Sequence, residues 1–124
     1  MKNFETPTDF ETSITLNGIT IAFNNLQEIS QGGPVVGNLL IDNKIVYGTF
    51  GGPFLNENEF LFIPIYLKKR FFGWGFKLAK IDLNNGHCYI VGSIKKLIFL
   101  DKIEKDVIYF YEDFYKTRYN HFEL

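Results

Sequence analysis

Alternation of apolar and polar residues runs through most of the chain and predicts β-strands. The clearest case is residues 14–23, where two alternating runs flank the dipeptide Asn17-Gly18. Asparagine followed by glycine readily adopts the positive φ angles of a type I′ turn, whose twist matches that of paired strands. We therefore predict a β-hairpin here. Residues 35–50 repeat the pattern around Asp42-Asn43 and predict a second hairpin.

Two later segments are apolar in ways that place them inside the fold. Residues 59–67 are apolar at nearly every position, which indicates a strand covered on both faces. Pro64 cannot donate a backbone hydrogen bond to a neighbouring strand, so we expect it at a sheet edge or a β-bulge. In residues 71–83, the large apolar side chains share one face: Phe72, Trp74, Phe76 and Leu78. The opposite face begins with Gly73 and Gly75, a bare strip that a neighbouring aromatic ring would cover or where the strand bends.

Turn signals separate the predicted strands by roughly 8 to 12 residues, a spacing typical of β-sandwiches and β-barrels. Further short strands are predicted at residues 88–91, 97–100 and 107–111. We predict that residues 1–124 form a single all-β domain, a small antiparallel barrel or sandwich of about eight strands. Near the C-terminus, Tyr115, Tyr119 and Phe122 have a spacing that fits a short helix. An extended tail is the alternative.

The composition supports a β-sheet protein and bears on its cellular location. The chain has 14 Phe, 7 Tyr and one Trp, and aromatic side chains favour the half-buried surface of a strand. Cys88 is the only cysteine, which excludes an intramolecular disulfide and a cysteine-based metal cluster. The N-terminal residues lack the apolar segment of a signal peptide, and no apolar run reaches the ~18 residues of a membrane span. We therefore predict a soluble cytoplasmic protein, and the excess of lysine over arginine suggests a bacterial gene.

No residue pattern predicts a catalyst, a metal site or a cofactor site. His87 and Cys88 are adjacent, and neighbours on a strand point to opposite faces, so the pair indicates a turn histidine beside a buried cysteine. His121 is the only other histidine, too few for a multi-histidine metal site. Glu57 and Glu59 lie in a polar stretch whose context favours a solvated loop over acid–base chemistry.

Charge is distributed in blocks although the net charge is −1. Residues 1–67 carry two bases and seven acids, whereas residues 68–105 carry nine bases and three acids. Such asymmetry steers charged partners towards one part of a surface. In residues 68–80, bases alternate with aromatic residues, as in proteins that bind single-stranded nucleic acid. The sequence pI of 6.1 argues against nucleic acid as the partner.

These observations favour a non-enzymatic protein-binding module, specifically a bacterial immunity or antitoxin-type protein that neutralises a cognate toxin. Tyrosine is enriched at protein interfaces, and the acidic N-terminal half would suit a basic partner. Two alternatives remain open: a β-barrel that binds a small ligand or lipid, and single-strand binding through residues 68–80. The residues expected to contact a protein partner are Glu57, Glu59, Lys68, Lys69, Arg70, Tyr109, Tyr111, Tyr115 and Tyr119.

Overall fold

All regular secondary structure of the described residues is β-strand, which confirms the all-β prediction. A computed structural model describes residues 5–69 and 73–124. The strands are β1 (Ser13–Leu16), β2 (Ile19–Glu28), β3 (Val35–Ile41), β4 (Lys44–Phe50), β5 (Leu55–Glu57), β6 (Phe60–Lys69), β7 (Gly73–Asp82), β8 (Cys88–Lys95), β9 (Phe99–Glu104), β10 (Val107–Tyr111) and β11 (Tyr119–Glu123). The short C-terminal helix that the spacing of Tyr115, Tyr119 and Phe122 fits does not form, because residues Tyr119–Glu123 are extended as strand β11 and pair with β10. Within the described part of the chain, no helix has the length and apolar character needed to cross a membrane.

Eight strands form one antiparallel sheet that curls into a half-barrel. Its strand order is β1-β2-β3-β4-β6-β7-β8. The short strand β5 pairs with the first residues of β6, along the same edge of β6 with which β4 pairs further on. The register shifts within the β2–β3, β3–β4 and β7–β8 pairs. Such irregularities increase the local twist of a sheet, and this favours curling over a flat arrangement. The remaining strands form a small antiparallel sheet in the order β11-β10-β9.

Both predicted hairpins form, and their turns have the backbone conformation that the sequence favours. Asn17 and Gly18 have φ angles of 50° and 81° between β1 and β2, and Asp42 and Asn43 have 49° and 65° between β3 and β4. Two successive positive φ angles are the signature of a type I′ turn. The Asp42 carboxylate also accepts a 2.8 Å hydrogen bond from the backbone N–H of Thr20 on β2, which joins the two hairpins.

Two hydrophobic cores lie on opposite faces of the large sheet. The first fills the inner face of the half-barrel, where Phe50, Leu39 and Ile63 are fully buried. Phe10, from the segment before β1, packs into the same core, with its ring 5.1 Å from that of Phe23. The second core lies between the outer face and the small sheet, and its most buried members are Phe76, Leu78, Ile98, Ile108 and Phe110. The small sheet packs on the large one through Ile108 and Phe110, and Phe99 and Leu100 of β9 are buried in the same core.

Strand β6 has both faces covered, as its apolar sequence predicts. Ile63 and Ile65 face the first core, while Phe62 faces the second. The expectation that Pro64 marks an edge or a bulge is wrong, because β6 is an interior strand whose register with β7 is continuous. Pro64 is tolerated because it lies between the part of β6 that pairs with β5 and the part that pairs with β4. Its carbonyl accepts a 2.9 Å hydrogen bond from Gly51 N–H.

Strand β7 places its aromatic residues on the face predicted from the sequence. Phe76 is fully buried in the second core and Trp74 is half-buried at its margin, whereas Phe72 lies outside the described residues. The glycine strip on the opposite face is covered at Gly75 by an aliphatic side chain. A Cβ atom at Gly75 would lie 2.8 Å from Cγ1 of Ile94, so the absence of a side chain allows Ile94 to pack there.

Candidate functional site

The residues predicted to contact a partner fall into three separate places. Glu57 and Glu59 flank the turn from β5 to β6, whereas Lys68 lies near the other end of β6. Glu59 and Lys68 are nine positions apart, which corresponds to about 30 Å along an extended strand. Lys69 ends β6, and Arg70 lies outside the described residues. The predicted tyrosines belong to the C-terminal part of the chain and form a group of their own: Tyr109, Tyr111, Tyr115 and Tyr119.

Strand pairing gathers aromatic side chains on the outward face of the small sheet. Tyr109 on β10 lies opposite His121 on β11, and Tyr111 lies opposite Tyr119. Since side chains alternate along a strand, Ile108 and Phe110 point the other way, into the second core. We call the outward group Tyr109, Tyr111, Tyr119 and His121 the tyrosine face.

The rings of the tyrosine face pack on one another. Tyr109 and Tyr119 are stacked, with ring centres 5.7 Å apart and planes 11° apart, and the centres of Tyr111 and Tyr119 are 4.7 Å apart. The His121 ring lies 5.9 Å from that of Tyr109. Aromatic pairs of this kind contribute about 0.5–1.5 kcal/mol beyond the area they bury. The rings are thus held in place before any partner arrives, which lowers the entropy lost on binding.

Polar contacts fix the edge of the tyrosine face next to β9. The Tyr119 hydroxyl donates a 2.6 Å hydrogen bond to the Asp101 carboxylate. Partial burial and this hydrogen bond both raise the pKa of the Tyr119 phenol, which keeps it neutral. The Lys102 ammonium lies 2.8 Å from the Glu104 carboxylate and 5.6 Å from the centre of the Tyr109 ring. Its hydrogen bond to Glu104 raises the pKa of Lys102, which therefore stays charged.

The turn between β10 and β11 borders the tyrosine face and is organised by one carboxylate. Asp113 accepts hydrogen bonds from the Thr117 hydroxyl, from Thr117 N–H at 2.9 Å and from Arg118 N–H at 3.0 Å. These hydrogen bonds lower the pKa of the Asp113 carboxyl, and the bond from the Thr117 hydroxyl has the largest effect. Tyr115 lies in this turn with 88% of its surface exposed. It therefore stands beside the ring network and has a largely free side chain.

A groove that the sequence does not reveal opens at the end of the first core. It has a volume of about 1180 Å³ and runs between β4, β6 and the connection from β7 to β8. Its apolar lining includes Ile45, Val46, Ile65 and Ile90, of which Ile90 is 52% exposed. The groove exists because β4 pairs with β6 only at its last two residues, so the two strands diverge beyond them.

The sequence predicts a turn histidine beside a buried cysteine, and in the structure Cys88 is partly buried. Cys88 packs against the first core, and burial raises the pKa of its thiol. A higher pKa lowers the fraction of thiolate, which is the nucleophilic form. His87 lies in the exposed turn, with its ring 4.5 Å from that of Tyr89. In the described parts of the chain, no three histidine, cysteine or acidic side chains are grouped as metal ligands.

Comparisons of the chain with models of protein families, with curated proteins and with solved structures find no match.

Proposed function

We propose that this chain is a protein-binding module and that the tyrosine face is its main contact surface. The observation that carries the proposal is the outward cluster of Tyr109, Tyr111, Tyr119 and His121, packed ring on ring over a buried sheet face. Tyr119 keeps 49% of its surface exposed despite these contacts. Exposed aromatic rings on a rigid support are the usual energetic centres of protein interfaces.

The surroundings of the tyrosine face suit a protein partner. Charges of both signs border it, with Asp101 and Glu104 next to Lys102 on strand β9. Such a mixed rim is typical of protein interfaces, in which an aromatic centre is surrounded by polar residues. Tyr115 extends the aromatic surface into the neighbouring turn. Glu57, Glu59 and Lys68 stay separate predictions, because they belong to the large sheet and the tyrosine face belongs to the small one.

In its specific form, the proposal is that the partner is a toxin which this chain neutralises, as immunity and antitoxin-type proteins do. The absence of catalytic patterns in the sequence and the aromatic contact surface support this form. Genes for such pairs are expected side by side. The test is therefore to express the product of the adjacent gene, with and without this chain, and to measure cell growth and the Kd of the complex.

Variants connect this test to the tyrosine face. Tyr119→Ala and Tyr111→Ala each remove a ring from the centre of the face, and a tyrosine at such a centre contributes about 2 kcal/mol or more. We expect the Kd to rise roughly 30-fold for each variant. Tyr47→Ala is the matched control, because Tyr47 is 97% exposed on another strand and belongs to no ring pair among the described residues. Equal affinities for Tyr119→Ala and Tyr47→Ala would refute the role of this face.

The groove favours a second candidate function, the binding of a small apolar ligand. Its volume is sufficient for such a ligand, and Val46, Ile65 and Ile90 supply apolar walls. Native mass spectrometry of protein purified from cells should then show an added mass that Ile90→Lys removes. Buried side chains such as Phe50 and Leu39 pack the first core, so the candidate ligand site is the open groove at its end. A wild-type spectrum with the mass of the bare chain would refute this function.

A further inference from the structure

One end of the large sheet carries a lysine cluster around the only tryptophan of the chain. Lys68 on β6 lies opposite Trp74 on β7, and Lys95 on β8 lies opposite Phe76, so these side chains share the outer face. Lys96 follows β8 directly, with its ammonium 4.8 Å from the centre of the Trp74 ring. We call Lys68, Lys95, Lys96 and Trp74 the lysine patch.

The positive charge of the lysine patch is not neutralised locally. Between residues 60 and 100 the only acid is Asp82, at the far end of β7 and about 26 Å from Trp74 along an extended strand. Among the described residues, none of the three lysines has a carboxylate within the 4.0 Å of an ion pair. The lysine patch and the acidic residues thus lie at opposite ends of the large sheet, with Glu57, Glu59 and Asp82 at the end away from the patch.

We infer that the lysine patch binds an acidic, extended segment of a partner protein, through lysine–carboxylate pairs around Trp74. Strands β6 and β8 are separated by one strand, and Lys68 and Lys95 pair with β7 two residues apart, so they stand about 12 Å apart at the backbone. In an extended peptide, side chains on one side recur every second residue, so carboxylates at positions i and i+4 lie about 13 Å apart and match this distance. This inference goes beyond the proposed function, because it concerns a different surface from the tyrosine face.

The ring geometry of the lysine patch favours an acidic peptide over single-stranded nucleic acid. Nucleic-acid sites offer free ring faces on which successive bases stack. Here the Lys96 ammonium lies over the Trp74 ring, and the edge-to-face contact with Phe76, at 5.8 Å and 80°, takes up more of its surface. The Tyr66 ring is tilted by 48° to Trp74, so the two form no stacking row. The ammonium groups remain accessible, whereas the ring that the described residues place in the patch, Trp74, is covered by Lys96 and Phe76.

The single tryptophan provides a direct test by fluorescence titration. The probe is a synthetic decapeptide rich in glutamate, with one phenylalanine and no tryptophan, and its glutamine counterpart is the peptide control. We expect the glutamate peptide to change Trp74 fluorescence with saturation, and its affinity to fall as salt is added. Lys68→Glu, Lys95→Glu and Lys96→Glu should each weaken binding roughly tenfold or more, because each places a negative charge against the peptide.

Matched controls distinguish binding at the lysine patch from nonspecific attraction that depends on net charge alone. Lys44→Glu makes the same change in net charge on strand β4 and should leave the affinity close to wild type. Circular dichroism verifies the fold of each variant, and Lys96→Gln tests the patch without reversing a charge.

Tighter binding of oligo-deoxythymidine than of the glutamate peptide would identify a nucleic-acid site and overturn the inference. It is also overturned if neither probe binds, or if Lys44→Glu weakens binding as much as Lys96→Glu. None of these outcomes bears on the tyrosine face, whose variants carry no charge change.

Discussion

Replacing Gly92 with alanine should loosen the small sheet from the half-barrel. Gly92 lies on β8 with a φ angle of 81°, a conformation that residues with a Cβ atom rarely adopt. A Cβ at this position would lie within 3.0 Å of three carbons of the Phe122 ring on β11. That ring cannot simply turn away, because it is stacked on buried Phe110 with ring centres 4.8 Å apart. The substitution therefore forces β11, and the tyrosine face with it, away from β8.

The magnitude follows from two separate costs. The left-handed backbone conformation costs an alanine about 1–2 kcal/mol relative to glycine. Overpacking against a held ring adds about 1–3 kcal/mol, so Gly92→Ala should lower the free energy of unfolding by about 2–5 kcal/mol. Gly86→Ala is the matched control, since Gly86 has a φ angle of 76° and a Cβ there would meet no atom within 4 Å. It should show the conformational cost alone.

The assay is urea unfolding followed by Trp74 fluorescence, with the m-value checked for constancy. A double-mutant cycle isolates the clash, because in a Phe122→Ala background the Gly92→Ala cost should fall to that of Gly86→Ala. The reasoning is refuted if Gly92→Ala and Gly86→Ala cost the same in the wild-type background. It is also refuted if removing the Phe122 ring leaves the Gly92→Ala cost unchanged.

Three further predictions test the core, the tyrosine face and its adjoining turn. Phe50→Ala empties a fully buried position of the first core and should cost about 3–5 kcal/mol in urea unfolding, whereas Tyr47→Ala on the same strand should stay within about 0.5 kcal/mol; similar costs would contradict the assigned burial. The raised pKa of Tyr119 means that its contribution to stability is complete below the ordinary tyrosine value near 10 and is lost as pH rises beyond it. In an alkaline titration followed by tyrosine absorbance, one tyrosine should therefore ionise last, and this last step should be missing in Tyr119→Phe. If the last step of the curve is the same in wild type and Tyr119→Phe, the contact with Asp101 is contradicted. Asp113 has a lowered pKa, so its contribution is complete above the ordinary value near 4 and is lost as pH falls through the lowered one. NMR titration of its carboxyl should give a midpoint below the ordinary value, and a midpoint at that value would contradict the bonds from Thr117 and Arg118.

Much of the fold follows from local features of the sequence. The turns at Asn17-Gly18 and Asp42-Asn43 were predictable because the preference for positive φ belongs to the residues themselves. The burial of β6 on both faces was predictable because its run is apolar at successive positions. The aromatic side of β7 was predictable for a similar reason, since alternation within one strand does not depend on its neighbours.

The candidate sites depend on pairings between distant segments, which only the tertiary structure decides. Tyr115, Tyr119 and Phe122 fit a helical spacing, yet pairing of β11 with β10 turns Tyr119 outward and Phe122 towards the core. The sequence pointed to the C-terminal tyrosines as contact residues, but the stacking of Tyr109 on Tyr119 required the pairing of β10 with β11, and the bond to Tyr119 required Asp101 from β9. The groove was invisible because it arises where β4 leaves β6, a divergence that no local pattern encodes.

The amino-acid sequence by itself thus determined the strand class, the tight turns and the faces of individual strands, because these depend on residues within a few positions of one another. The tertiary structure decided which strands pair, and thereby that Glu57 on β5 lies beside the first residue of β6, far from Lys68, while Tyr109, Tyr111 and Tyr119 share a surface. The physical reason is that burial of the two cores selects the pairing, and burial is a property of the whole chain.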